Sequence, residues 1–149
     1  MNNMSYKKFT IMMFISFIIM YVVMFLNMDS VDHYHTSVTR FYMAILMVAP
    51  MAIVMMTIMG NMYPNKKTNT GIVVAAIILF IVMLTALRTQ TPVSDVQYMK
   101  AMIPHHSSAI MTSKHANIKD PEVRKLADSI IASQEREIQQ MEAILKRLK

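Results

Sequence analysis

Long apolar stretches dominate the first 88 residues of the chain. There are three of them, each interrupted by no more than two Thr, Ser or Pro residues, at 9–26, 41–59 and 72–87. A helix needs about 20 residues, within a range of about 17–25, to cross the hydrocarbon core of a bilayer. The third stretch is short, but its polar flanking residues can extend it to the interface. The pattern therefore predicts a domain at residues 1–90 with three transmembrane helices, at about 9–28, 41–62 and 70–88.

The hydrophobic pattern changes to helical periodicity in residues 91–149. Apolar positions spaced three and four apart form a stripe typical of an amphipathic helix: Val96, Met99, Ile103, His106 and Ile110. We expect this helix at 92–117, opened by Pro92 at its first position and interrupted by Pro104.

A second helix is predicted from the turn at 117–120 to the end of the chain. Asp120 is a good N-cap and Pro121 suits the first helical position. The expected apolar stripe of this helix is Ala127, Ile130, Gln134, Glu137, Met141, Ile144 and Leu148. Folding the chain about Lys119 places His106 level with about residue 132, and Met99 and Met102 level with about 136–139.

Two helices cannot bury both of their apolar faces against each other alone. We therefore expect an all-α protein in which three transmembrane helices precede a ferritin-like helical hairpin, and two hairpins associate into a four-helix bundle. The assembly would be a homodimer or a larger homo-oligomer. Docking of the hairpin onto the transmembrane helices is the alternative.

Composition and charge support a membrane protein. Hydrophobic residues make up 54% of the chain and charged residues 16%, against about 25% charged residues in a typical soluble domain. Lys7, Lys8, Lys66 and Lys67 flank one side of the predicted spans, whereas Arg40 and Arg88 flank the other. The positive-inside rule then places the N-terminus in the cytoplasm and the hairpin outside the cytoplasmic (inner) membrane, in the periplasm or extracellular space. The net charge of +6 comes from these flanking lysines and from a mixed-charge hairpin, so nucleic-acid binding is not expected.

The candidate chemistry is that of a soft metal. The chain has 19 Met and no Cys, so a soft-metal site must combine thioether, imidazole and carboxylate groups. Such ligands favour Cu(I), with Cu(II) or Zn as alternatives. Gln134 and Glu137 lie in an otherwise apolar stripe, where a carboxylate is costly unless it is paired or bound. A purely structural pair of His106 with Glu137 is the other interpretation.

Residues 94–148 resemble a known family. The segments MKAMIPHHSSAIM and DPEVRKLADSIIASQEREIQQM are similar to the family named domain of unknown function 305. The resemblance implies a ferritin-like bundle and, by similarity to the CopM-type proteins of the family, copper binding. The family positions map onto eight candidate ligands: Met99, Met102, His105, His106, Met111, Gln134, Glu137 and Met141.

The function expected from these observations is a membrane-anchored copper-binding protein, not an enzyme, that buffers copper or hands it to a delivery partner. No Glu-x-x-His pair of the di-iron type occurs. Two alternatives stay open, a structural oligomerisation module and a copper channel that uses methionines repeated every four residues in the second span. Three histidines are auxiliary candidates: His33, His35 and His115.

Overall fold

The computed structural model describes residues 5–148, and these residues form α-helices, two short 3-10 turns and connecting loops, without a strand. The helices are α1 (Tyr6–Val23), α2 (Val38–Ile58), α3 (Lys66–Thr89), α4 (Asp95–His115) and α5 (Pro121–Arg147), and the 3-10 turns are Val31–His33 and Gly60–Met62. The all-helical prediction is confirmed. The described residues divide into two compact units, the first made of residues 5–23 and 40–92 and the second of 24–39 and 93–148.

The first unit contains α1, most of α2 and α3. Its core is a small cluster of buried side chains, Phe9, Ala52, Met56, Tyr63 and Ala76. Polar groups fix one end of the unit: the Tyr6 hydroxyl donates to Asn69 Oδ1 at 2.8 Å, and Asn69 Nδ2 donates to the Gly60 carbonyl at 2.9 Å. These bonds tie the start of α1 to the connection between α2 and α3.

The three helices of the first unit are each long and apolar enough to cross a membrane. Large apolar side chains face outwards, including Phe14 at 64% exposure and Ile78 at 56%, as expected for helices whose solvent is lipid. Their ends differ from the predicted ones. Helix α1 ends at Val23, before the predicted end at residue 28, and α3 begins at Lys66 because the Asn65 side chain caps its first turn.

The second unit is built on the antiparallel pair α4 and α5. Its core consists of Met99, Ile103, Ile110, Ile138 and Leu145. The predicted cap of α5 is confirmed, because Asp120 Oδ1 accepts from the N–H groups of Glu122 and Val123, both at 2.9 Å. The predicted start of α4 at Pro92 is wrong, since the Ser94 side chain caps the helix and Asp95 begins it. Pro104 is fully buried and α4 continues through it.

The buried side of α5 differs from the predicted stripe. Ala127, Ile138 and Leu145 are buried, whereas Leu148 is 46% exposed. Helix α5 carries two series of apolar residues that are offset from each other by one position in the sequence. The series that includes Ile131 and Ile138 packs against α4. Of the predicted stripe, Ala127 is buried and Met141 and Ile144 pack partly against this core, whereas Leu148 lies outside the seam between the two helices.

Residues 24–39 fold onto α4, a contact that the sequence did not indicate. Ser107 is fully buried, and its Oγ accepts from the Asp29 N–H at 2.8 Å and lies 2.8 Å from Nδ1 of His33. Lys114 Nζ forms an ion pair with Asp29 at 2.8 Å, and this hydrogen bond raises the pKa of Lys114. The segment between α1 and α2 is therefore part of the second unit.

Candidate metal centre

His106 and Glu137 meet at the middle of the hairpin. Nδ1 of His106 lies 3.1 Å from Oε2 of Glu137. The expected alignment of His106 with about residue 132 is therefore wrong by about one helical turn. Side-chain packing decides this register. Met99 and Ile103 share one core with Ile138 and Leu145, so His106 lies opposite a later residue of α5 than simple folding about the turn predicts.

The His106 imidazole is buried and favours its neutral form. Burial lowers the pKa of His106 from its ordinary value of 6.5; the Glu137 carboxylate opposes this shift and His105 adds to it. The 3.1 Å contact lacks the geometry of a hydrogen bond, and the buried Nδ1 has no hydrogen-bond partner among the described residues. A neutral imidazole with an unsatisfied nitrogen is the state in which histidine binds a metal.

The Glu137 carboxylate is held in place from its own helix. The Ser133 hydroxyl donates to Oε1 at 2.9 Å, which leaves Oε2 on the side of His106. The Glu137 side chain is 46% exposed, so the carboxylate borders solvent while the imidazole does not. The pair thus lies at the edge of the seam, and a metal can reach it from outside.

Two methionines lie one turn from this pair. Met102 precedes His106 by four residues on α4, and Met141 follows Glu137 by four residues on α5. Residues four apart share a face of a helix, and the helices are antiparallel, so Met102 and Met141 are at the same level. Both are half-buried. This side of the hairpin, defined by Met102, His106, Glu137 and Met141, is called the open flank below.

The remaining candidates are less well placed. Met99 is buried in the core and lies two turns, about 10.5 Å, from His106 along α4. Met111 is half-buried, but its position five residues after His106 turns it away from the open flank. His105 is exposed, with its ring 6.2 Å from that of His106, and Gln134 is half-buried one turn before Glu137.

The auxiliary histidines lie elsewhere. His33 contacts Ser107, His35 lines a cleft with Asp32, and His115 is exposed in the last turn of α4. Across residues 5–148, no group of three or more His, Asp or Glu side chains is placed to hold a metal ion. A centre at His106 and Glu137 must therefore recruit thioether ligands, or ligands from another molecule.

Comparison with known proteins identifies a family and a relative of this chain. The family model described as Domain of unknown function (DUF305) matches residues 81–145. A curated protein of Acanthamoeba polyphaga mimivirus, "Uncharacterized protein L153", is 36% identical over 148 residues, which cover 97% of this chain and 93% of that protein. No solved structure matches the chain significantly. The family match covers both helices of the hairpin, and the relative extends the similarity through α1, α2 and α3. The chain belongs to the DUF305 family.

Proposed function

We propose that this protein is a membrane-anchored copper-binding protein that buffers copper, or hands it to a partner protein, outside the cytoplasmic membrane. Helices α1, α2 and α3 lie in the bilayer with the N-terminus in the cytoplasm, and the hairpin of α4 and α5 lies on the outer side. Two hairpins pair into a four-helix bundle. The observation that carries the proposal is the buried His106 nitrogen without a hydrogen-bond partner, beside Glu137.

The ligand set supports copper over other metals. A buried polar atom without a partner costs about 1–3 kcal/mol, and a metal bond at Nδ1 of His106 offsets that cost. Met102 and Met141 add two thioethers on the same side of the hairpin. Thioethers are soft ligands that select Cu(I), whereas Mg²⁺ and Ca²⁺ prefer oxygen ligands. His106 therefore supplies nitrogen, the two methionines supply sulfur, and Glu137 balances the charge of the cation.

The location outside the membrane is supported by the charges next to the apolar helices. Lys66 and Lys67 begin α3, and Lys7 and Lys8 lie in the first turn of α1. Arg40 and Arg88 are the basic residues at the opposite ends of the three helices. Cytoplasmic flanks carry the excess of Lys and Arg, so this distribution favours the proposed orientation.

Cu(I) titration of the full chain in detergent against a chromophoric chelator tests the proposal. We expect Met102→Leu and Met141→Leu each to weaken Cu(I) binding at least about tenfold, which is about 1.4 kcal/mol, and His106→Gln to weaken it further. Met99→Leu is the matched control, because it changes a thioether that lies in the core, and it should leave the affinity within about twofold.

The comparison between these variants decides the outcome. Equal affinities in the wild type, Met102→Leu and His106→Gln would refute the copper centre and favour a structural module. Sulfur scattering around bound copper in X-ray absorption spectra would support thioether ligation independently.

A copper path through the membrane is a second candidate. Three methionines of α2 and the methionine that follows it line a groove of about 430 Å³ together with Pro50, namely Met47, Met51, Met55 and Met59. Copper uptake into vesicles that contain the full chain tests this candidate. Conduction requires that Met51→Leu with Met55→Leu reduces the flux, whereas an unchanged flux eliminates the path.

A further inference from the structure

The two flanks of the hairpin differ in what covers them. Residues 24–39 lie against one side of α4, where Asp29 contacts Ser107 and Lys114. The open flank, on the other side of the seam, carries His106 and Glu137. The covered side is thus occupied by the chain itself, whereas the open flank carries the candidate metal centre.

Large apolar side chains are exposed along the open flank. Tyr98 is 53% exposed on α4, and Val123 and Leu126 are 49% and 60% exposed on α5. At 100° per residue, Val123 and Leu126 fall within about 40° of Glu137, and Tyr98 falls about 40° from Met102. Leu148 continues the strip at the end of α5, with 46% exposure. Exposed apolar side chains at both ends of this strip, with Met102 and Met141 between them, are the feature that marks an interaction surface.

Charge is almost absent from the α5 part of this strip. Glu137 lies near its centre and Glu122 about 60° from Glu137 around the helix. The other charged side chains of α5 point about a quarter turn or more away: Arg124, Lys125, Asp128, Glu135, Arg136, Glu142, Lys146 and Arg147. Helices that lie on a membrane surface carry Lys and Arg around their apolar face. The strip itself carries carboxylates and no Lys or Arg, so an anionic lipid surface is disfavoured and a second protein surface of the same kind is favoured.

The strip is self-complementary, which favours a second copy of this chain. A two-fold interface joins the same patch on both subunits. The open flank presents one carboxylate, Glu137, and one exposed imidazole, His105, at nearly the same level of the hairpin. A two-fold axis parallel to the helices places α4 of each copy over α5 of the other at the same level, which brings each imidazole to the carboxylate of the other copy.

The size of the strip suits a stable dimer. Helix α5 has 27 residues, which at 1.5 Å per residue give a length of about 40 Å. With a width of about 15–20 Å for the two helix flanks, each copy offers roughly 600–800 Å², close to the roughly 800 Å² per partner of a standard interface.

We propose that the open flank binds the open flank of a second copy, and that the partner subunit's His105 thereby reaches Glu137 and completes the copper centre. The proposal deepens the proposed function and rests on its copper centre and its pairing of hairpins. It explains why the described residues of one copy bring only two His, Asp or Glu groups together at this centre. It also specifies which face of the hairpin forms the contact, whereas a four-helix bundle by itself does not determine that face.

Cross-linking in membranes tests the contact face, because the chain has no cysteine and a single introduced thiol reports on one position. Ala109→Cys lies on the open flank, and Ala132→Cys lies on the exposed outer side of α5 as the control. With a short bismaleimide we expect covalent dimers at least about ten times more abundant for Ala109→Cys than for Ala132→Cys. Equal yields at the two positions would overturn the proposed face.

A charge placed on the strip tests the same face without cross-linking. Leu126→Glu should raise the dissociation constant of the dimer at least about tenfold in analytical ultracentrifugation of the full chain in detergent. Ala132→Glu, which adds the same charge on the outer side, should leave it within about twofold. A dimer that tolerates Leu126→Glu would overturn the contact face and leave the proposed pairing of hairpins intact.

Copper titration tests the shared ligand. His105→Gln should keep the dimer but weaken Cu(I) binding about tenfold. Undiminished Cu(I) affinity in His105→Gln, or in a monomeric Leu126→Glu protein, would overturn the sharing of the centre while leaving the copper-binding function standing. A wild-type dimer without Cu(I) affinity would overturn the sharing and the proposed function together, whereas the contact face would still be supported by the cross-links.

Discussion

The Ser107 hydroxyl holds residues 24–39 on the hairpin, and its removal is the sharpest test of this contact. The side chain is fully buried. Its Oγ accepts from the Asp29 N–H at 2.8 Å and lies 2.8 Å from Nδ1 of His33. Ser107→Ala removes this oxygen without adding volume, so the backbone N–H of Asp29 and the His33 ring lose their partner.

The expected cost follows from these two contacts. Leaving a buried polar group unsatisfied costs about 1–3 kcal/mol. Because Asp29 and His33 are only partly buried at their bonds with Ser107, solvent compensates in part, and we expect the opening of residues 24–39 to become easier by about 1–2 kcal/mol. This corresponds to roughly 5–30 times faster hydrogen exchange at the Asp29 amide.

Hydrogen exchange of the full chain in detergent, read by mass spectrometry or NMR, measures this effect. Ser108→Ala is the matched control, because its hydroxyl accepts a more exposed bond from Asn27 Nδ2 at 2.7 Å; it should change the exchange at Asp29 less than about threefold. Unchanged exchange at Asp29 in Ser107→Ala would refute the assignment of residues 24–39 to the second unit.

Three further predictions concern the hairpin. Ile103→Ala, at a fully buried position, should destabilise the hairpin by about 2–5 kcal/mol and Ile103→Val by about 0.5–1.5 kcal/mol; equal hydrogen exchange of α4 in the two variants would contradict the core assignment. In metal-free protein, the lowered pKa of His106 means that the unfolded chain binds the proton more readily, so stability should fall as the pH drops below about 6.5 towards the folded-state pKa and stay level above it. His106→Gln should remove this part of the slope in denaturation at several pH values. Asp120→Ala should destabilise the start of α5 by about 0.5–2 kcal/mol, seen as faster exchange at the amides of Glu122 and Val123, which Asp120→Asn should largely restore.

The hairpin seam shows how sequence and packing share the outcome. On α4 the predicted stripe is confirmed, because Met99, Ile103 and Ile110 are buried as the spacing of three and four requires. On α5 two adjacent series of apolar residues compete for the seam. The buried series includes Ile138 and Leu145. Which of the two series is buried depends on how the side chains fit against α4, and the periodicity of one helix carries no information about that fit.

The candidate centre shows the same division. A pair of His106 with Glu137 is one of the alternatives that the sequence indicates, and the structure places the two side chains 3.1 Å apart. Met99 is also among the ligands predicted from the sequence, whereas its thioether lies in the core. Spacing along α4 puts Met99 and His106 on one face, but it does not determine how deeply each residue of that face is buried between α4 and α5.

The sequence by itself determined the local features of this protein. Runs of apolar residues produce three helices able to cross a membrane, and Asp120 with Pro121 begins α5, because these effects act within a few turns of one helix. The tertiary structure alone decided the burial of Ser107 under residues 24–39 and the alignment of His106 with Glu137. Both contacts join side chains that are more than 30 residues apart in sequence and meet only when the helices pack. Which packing arrangement has the lowest free energy depends on the whole second unit.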